Sequence, residues 1–364
     1  MKIIMSILVG IILGAFLFLK YHPAFGGKPS KAKLQAFSQS PNYHQNRFIN
    51  QIPTVMNNDL KTMITILKDF MRGNPKARPD RSIPIQPLDS VAMQDHKQAK
   101  VTWLGHSTVL IELEGKKLLL DPTFAKITSP FHLFGGQRYY EKLPIEIEDL
   151  TPIDVVFLSH DHYDHLDYQS IIKLKNKVRQ FYVPLGVGSH LERWGIAPGK
   201  IKEYDWWNEV QFEGLRLIAT PARHFSGRGL FNRNSTLWCS WVIMGLHSKI
   251  YFSGDGGYGP HFKEIGEKYG PFDLTLMECG QYDKRWSAIH MLPEETVQAH
   301  LDVQGKLMIP IHWAAFSLAL HDWTDPIERV TKAARTRNID ISTPKIGEPV
   351  MIGVLEYPSS IWWR

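Results

Sequence analysis

His160, His162, Asp164 and His165 fall within six consecutive residues, directly after the apolar run Asp154-Val155-Val156-Phe157-Leu158. Such a run reads as a buried strand, and a strand points alternate side chains the same way. His160 and His162 can therefore face one ion from the strand end. The turn that must follow brings Asp164 and His165 round to a second ion beside it. Imidazole and carboxylate together suit zinc, with iron or manganese as alternatives, and leave a coordination position for water. This local pattern is that of a metal site.

Three more donors follow apolar strands later in the chain. His224 comes after Arg216-Leu217-Ile218-Ala219-Thr220-Pro221, and His312 after Lys306-Leu307-Met308-Ile309-Pro310-Ile311. Asp255 follows Lys249-Ile250-Tyr251-Phe252, with Gly254 before it and Gly256-Gly257 after it. Glycines on both sides let backbone and carboxylate approach an ion closely. A carboxylate can also bridge two metals, which an imidazole cannot. His160, His162, Asp164, His165, His224, Asp255 and His312 thus make a complete set for two ions sharing one carboxylate. Asp121, ending the strand Lys117 to Leu120, reads as an acceptor for the backbone of the metal loop rather than as a ligand. His106, between Gly105 and Ser107, is expected near the site without binding metal.

The elements that must position these donors alternate. Val101 to His106 and Thr108 to Glu114 read as strands joined on to Lys117 to Leu120 through a hairpin turn at Gly115. Tyr168 to Lys177 and Gly188 to Trp194 read as helices, and Gln180 to Pro184 and Lys202 to Tyr204 as strands. Ser240 to Ile243 should pair with Lys249 to Phe252. A further strand spans Phe272 to Met277, and helices should follow Pro293 and Thr324. Strands alternating with helices predict an α/β layered architecture.

Before this globular part, residues 1–20 carry a stretch without charge from Ile3 to Leu19, at the short end of what spans a bilayer. It reads as an uncleaved membrane anchor, with a signal segment as the alternative. The chain would then be membrane-associated, with its catalytic domain periplasmic or otherwise extracytoplasmic. Residues 21–98 are rich in Pro, Asn and Lys and read as an extended arm laid over a core domain at 99–364. Within the arm, Asn58 to Met71 has helical period, and its stripe of Leu60, Met63, Ile64, Leu67 and Phe70 is expected to pack on that domain.

A net charge of +6 favours anionic partners such as phospholipid surfaces. No dense Lys/Arg cluster suggests a nucleic-acid partner. The chain's two cysteines, Cys239 and Cys279, sit in apolar settings and read as buried thiols. Oligomeric state stays open.

The ligand pattern H-x-H-x-D-H, followed by separated His, Asp and His, resembles that of the metallo-β-lactamase superfamily. Flanking motifs narrow the resemblance to the N-acylphosphatidylethanolamine-hydrolysing phospholipase D family. They include Trp103-Leu104-Gly105-His106-Ser107-Thr108, Asp205-Trp206-Trp207, Gly254-Asp255-Gly256-Gly257-Tyr258, Gly270-Pro271-Phe272-Asp273-Leu274 and His290-Met291-Leu292-Pro293-Glu294-Glu295. The similarity runs from about Lys100 to Trp323. Two segments depart from it: Glu278-Cys279-Gly280-Gln281-Tyr282 is a polar variant, and Trp313-Ala314-Ala315 lacks the family's Gly-Thr.

The resemblance implies an αβ/βα four-layer sandwich with metals at one edge of its two sheets. It implies one zinc held by His160, His162, His224 and Asp255, and another held by Asp164, His165, Asp255 and His312. It further implies phospholipase D-type hydrolysis by metal-bound hydroxide, giving phosphatidic acid and an N-acylethanolamine. Asp164 would orient the nucleophile and move its proton, and His290 would contact the substrate head group; capping of the helix after it is the alternative for His290. Other readings of the same residues are hydrolysis of a lactone or another carbonyl substrate, and a non-catalytic membrane-attached binding protein.

Overall fold

A computed structural model describes residues 2–55, 59–89, 99–131 and 135–364. The chain opens with α1 (Lys2–Tyr21), α2 (Lys31–Phe37), a small hairpin of β1 (Tyr43–His44) and β2 (Arg47–Phe48), and α3 (Leu60–Arg72). The first half of the main domain comprises β3 (Lys100–Gly105), β4 (Thr108–Leu113), β5 (Lys116–Leu120) and β6 (Ile153–Phe157). It continues through α4 (Tyr168–Leu174), β7 (Val178–Pro184), α5 (Gly188–Arg193) and β8 (Ile201–Tyr204). The second half begins with β9 (Glu209–Phe212), β10 (Leu215–Thr220), β11 (Ser240–Met244), β12 (Lys249–Phe252), α6 (His261–Tyr269) and β13 (Phe272–Glu278). It closes with α7 (Pro293–Asp302), β14 (Gly305–Ile311), α8 (Asp325–Thr336), β15 (Asp340–Ile341) and β16 (Pro349–Met351).

Two seven-stranded sheets form the centre, ordered β16-β3-β4-β5-β6-β7-β8 and β15-β14-β13-β12-β11-β10-β9. Each is antiparallel on one side and parallel on the other, the change coming at β5–β6 and at β12–β13. The central strands of the first sheet carry apolar residues on both faces because both faces are covered. Val109, Ile111, Leu118, Leu120, Val155 and Phe157 turn inward to the second sheet. Their neighbours Leu110, Leu119, Val156 and Leu158 turn outward and bury Ile171 and Leu174 of α4 and Leu191 of α5. On the far side, Ile265 of α6, Val297 of α7 and Val330 of α8 cover the second sheet. This is the αβ/βα four-layer sandwich.

Phe37 of α2 and Phe48 of β2 are buried in the main core, so this part of the arm packs on the domain. The expected packing of the α3 stripe is corrected. The helix starts at Leu60 with the Asp59 carboxylate accepting from Thr62 N–H at 2.9 Å. Leu60, Met63, Ile64, Leu67, Phe70 and Met71 are nonetheless 44% to 78% exposed. Thr62, Ile66 and Asp69 are the half-buried positions, so the helix meets the domain on a different face. The expected helix start at Asn58 and the arm's end at residue 98 lie outside the described residues.

Candidate metal centre

The donors gather at the C-terminal ends of strands from both sheets. After β6 the chain runs straight to Leu158, then turns as His165 and Leu166 both donate N–H to the His162 carbonyl at 3.1 and 2.8 Å. Asp167 caps α4, accepting from Ser170 N–H at 2.8 Å. The loop is thus held between a strand end and a helix start. Asp121 accepts from Ser159 N–H at 2.7 Å, from Ser159 Oγ at 2.5 Å and from His165 Nδ1 at 2.7 Å.

Those bonds decide which imidazole nitrogens are bare. Ser159 spends its one hydroxyl proton on Asp121, so its Oγ accepts from His160 Nδ1 at 2.9 Å. His165 donates through Nδ1 to Asp121, and His224 donates through Nδ1 to the Ile289 carbonyl at 2.9 Å. In the neutral form of each ring Nε2 therefore carries only a lone pair, the form that binds a metal. His160 Nε2 lies 2.9 Å and His224 Nε2 3.2 Å from His162 Nδ1. His165 Nε2, fully buried, makes no hydrogen bond and sits 3.0 Å from Asp255 Oδ2.

Asp255 stands between two groups of donors. Its Oδ2 is also 3.9 Å from His160 Nε2 and 4.0 Å from His224 Nε2, while Oδ1 is 3.1 Å from His312 Nδ1. Asp164 Oδ2 lies 3.5 Å from His165 Nε2 and 2.9 Å from His106 Nε2. His160, His162 and His224 form one compact donor group, and His106, Asp164, His165 and His312 another. Imidazole nitrogens and carboxylate oxygens converging in a buried site are the arrangement a cation resolves, whether a metal ion or the proton that His165 draws in its absence. The donor set fits a metal.

The electrostatics agree. Burial, reinforced by neighbouring imidazoles, holds His160 and His224 well below the usual histidine range, so both stay neutral. Burial does the same to His312. Burial opposes ionisation of Asp164 and Asp255, but the charge of His165 holds both well below the usual carboxylate range. His165 is driven well above its ordinary value: burial pulls it down, and Asp255, Asp164 and Asp121 outweigh that. A site that draws a proton in this way has a negative field to satisfy. His106, Asp121 and His312 also adopt left-handed backbone, with φ of 51°, 40° and 67°. Each costs on the order of 1 kcal/mol, and such residues cluster at functional sites.

Beside these donors a cavity of about 360 Å³ is lined by His162, Asp164, Asp255, His290 and His312. Ile66, Phe225, Trp286, Ile289 and Leu318 supply its apolar lining, and Gln281 and Arg285 complete it. His290 Nδ1 is 2.5 Å from Glu278 Oε1, and Glu278 Oε2 accepts from Gly256 N–H at 3.1 Å. The helix after His290 is capped elsewhere, by Glu295 accepting from Leu292 N–H at 2.9 Å.

A family model described as a β-lactamase superfamily domain matches residues 116–313. This chain belongs to the β-lactamase superfamily. Within it, an uncharacterised protein of Mycobacterium tuberculosis is 39% identical, covering 96% of this chain and 95% of its own length. A Caenorhabditis elegans protein named N-acyl-phosphatidylethanolamine-hydrolyzing phospholipase D 1 is 35% identical, over 67% of this chain and 72% of its own. Among solved structures, the Ignicoccus hospitalis metallo hydrolase Igni18 aligns with a TM-score of 0.55 at 21% identity. That alignment covers 71% of this chain and all of the other, and shows the shared fold. The chain is a metal-dependent hydrolase of the metallo-β-lactamase fold.

In this superfamily domain, three contributors to the site escape a reading of the sequence: Glu278, Arg285 and Trp286. Glu278 looks like the end of a strand with a polar deviation, and only the fold lays it against His290. Arg285 and Trp286 lie in a loop with no periodicity to mark them as cavity wall. His106, expected near the site, reaches Asp164 because β3 and β4 are joined by a tight turn at Gly105-His106-Ser107.

Proposed function

We propose that this chain is a dinuclear-zinc phosphodiesterase of phospholipase D type, hydrolysing N-acylphosphatidylethanolamine-like phospholipids to phosphatidic acid and an N-acylethanolamine. The observation that carries this reading is a buried imidazole–carboxylate cluster lining a cavity whose remaining lining is mostly apolar. Such a cavity can take a phosphodiester at its polar groups and lipid chains along its apolar ones. Similarity to a protein with that named activity supports the same substrate class.

His160, His162, His224 and Asp255 would hold one ion, and Asp164, His165, His312 and Asp255 the other. Zinc suits this set of nitrogen and oxygen donors, and iron or manganese would also fit it. When bound, two such ions polarise the phosphoryl group and lower the pKa of water towards neutrality. Asp164 lies at the cavity surface with His106 holding its Oδ2, so it is placed to orient an attacking water and accept its proton. His290, steadied by Glu278, would donate to a phosphoryl or leaving oxygen. No Ser or Cys nucleophile is required. Helix α1 would anchor the chain in a membrane, with the domain on its extracytoplasmic side.

The test is mass spectrometry of products after zinc-loaded full-length protein meets N-acylphosphatidylethanolamine in mixed micelles. An N-acylethanolamine together with phosphatidic acid, abolished by chelator, is expected. Intact lipid at full metal occupancy would reject this substrate and direct screening to other phosphodiesters and to lactones.

A further inference from the structure

We infer that α3 is a second membrane contact, lying in the lipid interface with its exposed apolar face down and setting the mouth of the site against the bilayer. This rests on the proposed anchoring role of α1.

The helix is amphipathic in an unusual sense: its apolar side faces away from the protein. Leu60, Ile64, Leu67 and Met71 lie along one exposed face, with Met63 and Phe70 beside them. Lys61, Lys68 and Arg72 flank that face, and the helix's one acid, Asp69, is taken by Arg285 at 2.8 Å. Six large apolar side chains left in water on a 13-residue helix are a liability unless something covers them. An apolar face bordered by cations suits an anionic phospholipid surface, where lysine stems extend up to the phosphates.

Its position makes the same point. Ile66 lines the cavity with His162 and Asp164, and Asp69 grips Arg285 of that same wall. Beyond the helix, Asn74 Nδ2 donates to Asp322 Oδ1 at 2.8 Å, fixing its C-terminal end to the loop before α8.

The other apolar element is held just as firmly. Ile4–Tyr21 is long and apolar enough to cross a bilayer, and none of its described residues is buried in the protein. Its exit is stitched down: Arg193 donates to the carbonyls of Tyr21 at 2.9 Å and Gly26 at 2.7 Å. Buried Arg228 donates to the Ala24 carbonyl at 2.8 Å and to those of Asp161 and Leu166 in the metal loop at 2.6 and 2.7 Å. Phe131 stacks on Phe18 of α1 at 5.3 Å, and Gly136 lies against Leu318, which shares the cavity wall with Ile66. A domain tied to a spanning helix at one point is free to rock; a second contact at the cavity rim removes that freedom.

The experiment places an environment-sensitive fluorophore on single introduced cysteines of the full-length protein in vesicles containing anionic phospholipid. The native Cys239 and Cys279 are buried and will not compete for the label. Leu67→Cys probes the apolar face, Thr65→Cys the opposite flank and Leu13→Cys the anchor. Nitroxide-labelled lipid should quench the probes at 67 and 13 and leave 65 unquenched. A probe at 67 unquenched while 13 is quenched would overturn the proposal. So would a probe at 67 that cross-links to a second copy and stays unquenched. Quenching at 67 without 13 would remove the anchor and leave the α3 contact standing. As an activity readout, the triple variant Leu60→Gln, Ile64→Gln, Leu67→Gln should lose about tenfold or more in turnover of vesicle lipid. Its turnover of a water-soluble phosphodiester should be unchanged. Equal loss on both substrates would count against the docking role, whereas absence of any phosphodiesterase activity would reject the function above and leave the quenching result intact.

Discussion

Asp121 and His165 are joined by a 2.7 Å hydrogen bond from imidazole Nδ1 to carboxylate Oδ2, and neither side chain has any solvent exposure. That bond commits His165 to present Nε2 to the cavity. The same carboxylate holds Ser159, through which His160 is oriented as well. One buried acid thus sets two of the metal-facing nitrogens, from a position that touches neither donor group's open side.

Replacing Asp121 by Asn tests this. An amide nitrogen facing His165 Nδ1–H would oppose donor to donor and favour the wrong tautomer. Metal affinity should fall about 10- to 100-fold, as for other orienting partners of ligands. Competition with a chromogenic chelator measures it, and unaltered affinity would remove Asp121 from that role.

His162 and His290 should separate cleanly. His162→Ala removes a donor from the three-imidazole group, so metal content and turnover are expected to fall together. In His290→Ala, elemental analysis should find metal retained while turnover drops about 10²-fold or more, the usual yield of a positioned proton donor. Metal loss in His290→Ala would make that residue a ligand instead.

Glu278 should matter through His290. Its fully buried carboxyl is pushed up to about 7 by burial, with His290 drawing it down and Asp255 adding to the rise. Glu278→Gln keeps the volume but weakens the grip on the imidazole, so a fall of about tenfold in kcat with metal content unchanged is expected. A variant with full kcat would show that His290 needs no such support.

The fold itself carries a pH dependence away from the site. His300 of α7 is buried against β13, with Nδ1 2.7 Å from Thr275 Oγ1 and Nε2 without a hydrogen bond. Burial pushes it down to about 4 from an ordinary value near 6.5. The unfolded chain therefore takes up this proton first, and stability is lost as pH falls from about 6.5 to about 4. At about 1.4 kcal/mol per pKa unit, this histidine accounts for about 3 kcal/mol over that window. Chemical denaturation of the wild type and His300→Gln at pH 7 and pH 4.5 checks it. The variant should lose less stability between the two, and equal losses would assign the effect to other groups.

Much of this protein can be read from its sequence because the relevant signals are local. The alternation of Val155 and Phe157 with Val156 and Leu158 gives a strand buried on both faces, and His160 to His165 must then lie at its end. Gly115 marks the hairpin turn by chemistry that acts within a few residues, whereas the caps Asp59 and Asp167 are seen only in the structure. The donors at 224, 255 and 312 are legible for the same reason, since each follows an apolar run. Nothing local says which carboxylate stands between the two donor groups. Asp255 does so because β12 lies centrally in its sheet, between β11 and β13, and opens towards the metal loop. Glu278 and His290 are twelve residues apart and meet only through the packing of β13 against the loop before α7. The α3 helix shows the limit most plainly. Its periodicity requires that an apolar face be hidden from water, but burial by a core and burial by a bilayer demand the same pattern of residues. The tertiary structure excluded the core for this face by turning Thr62, Ile66 and Asp69 toward the domain and leaving Leu60, Ile64 and Leu67 outside.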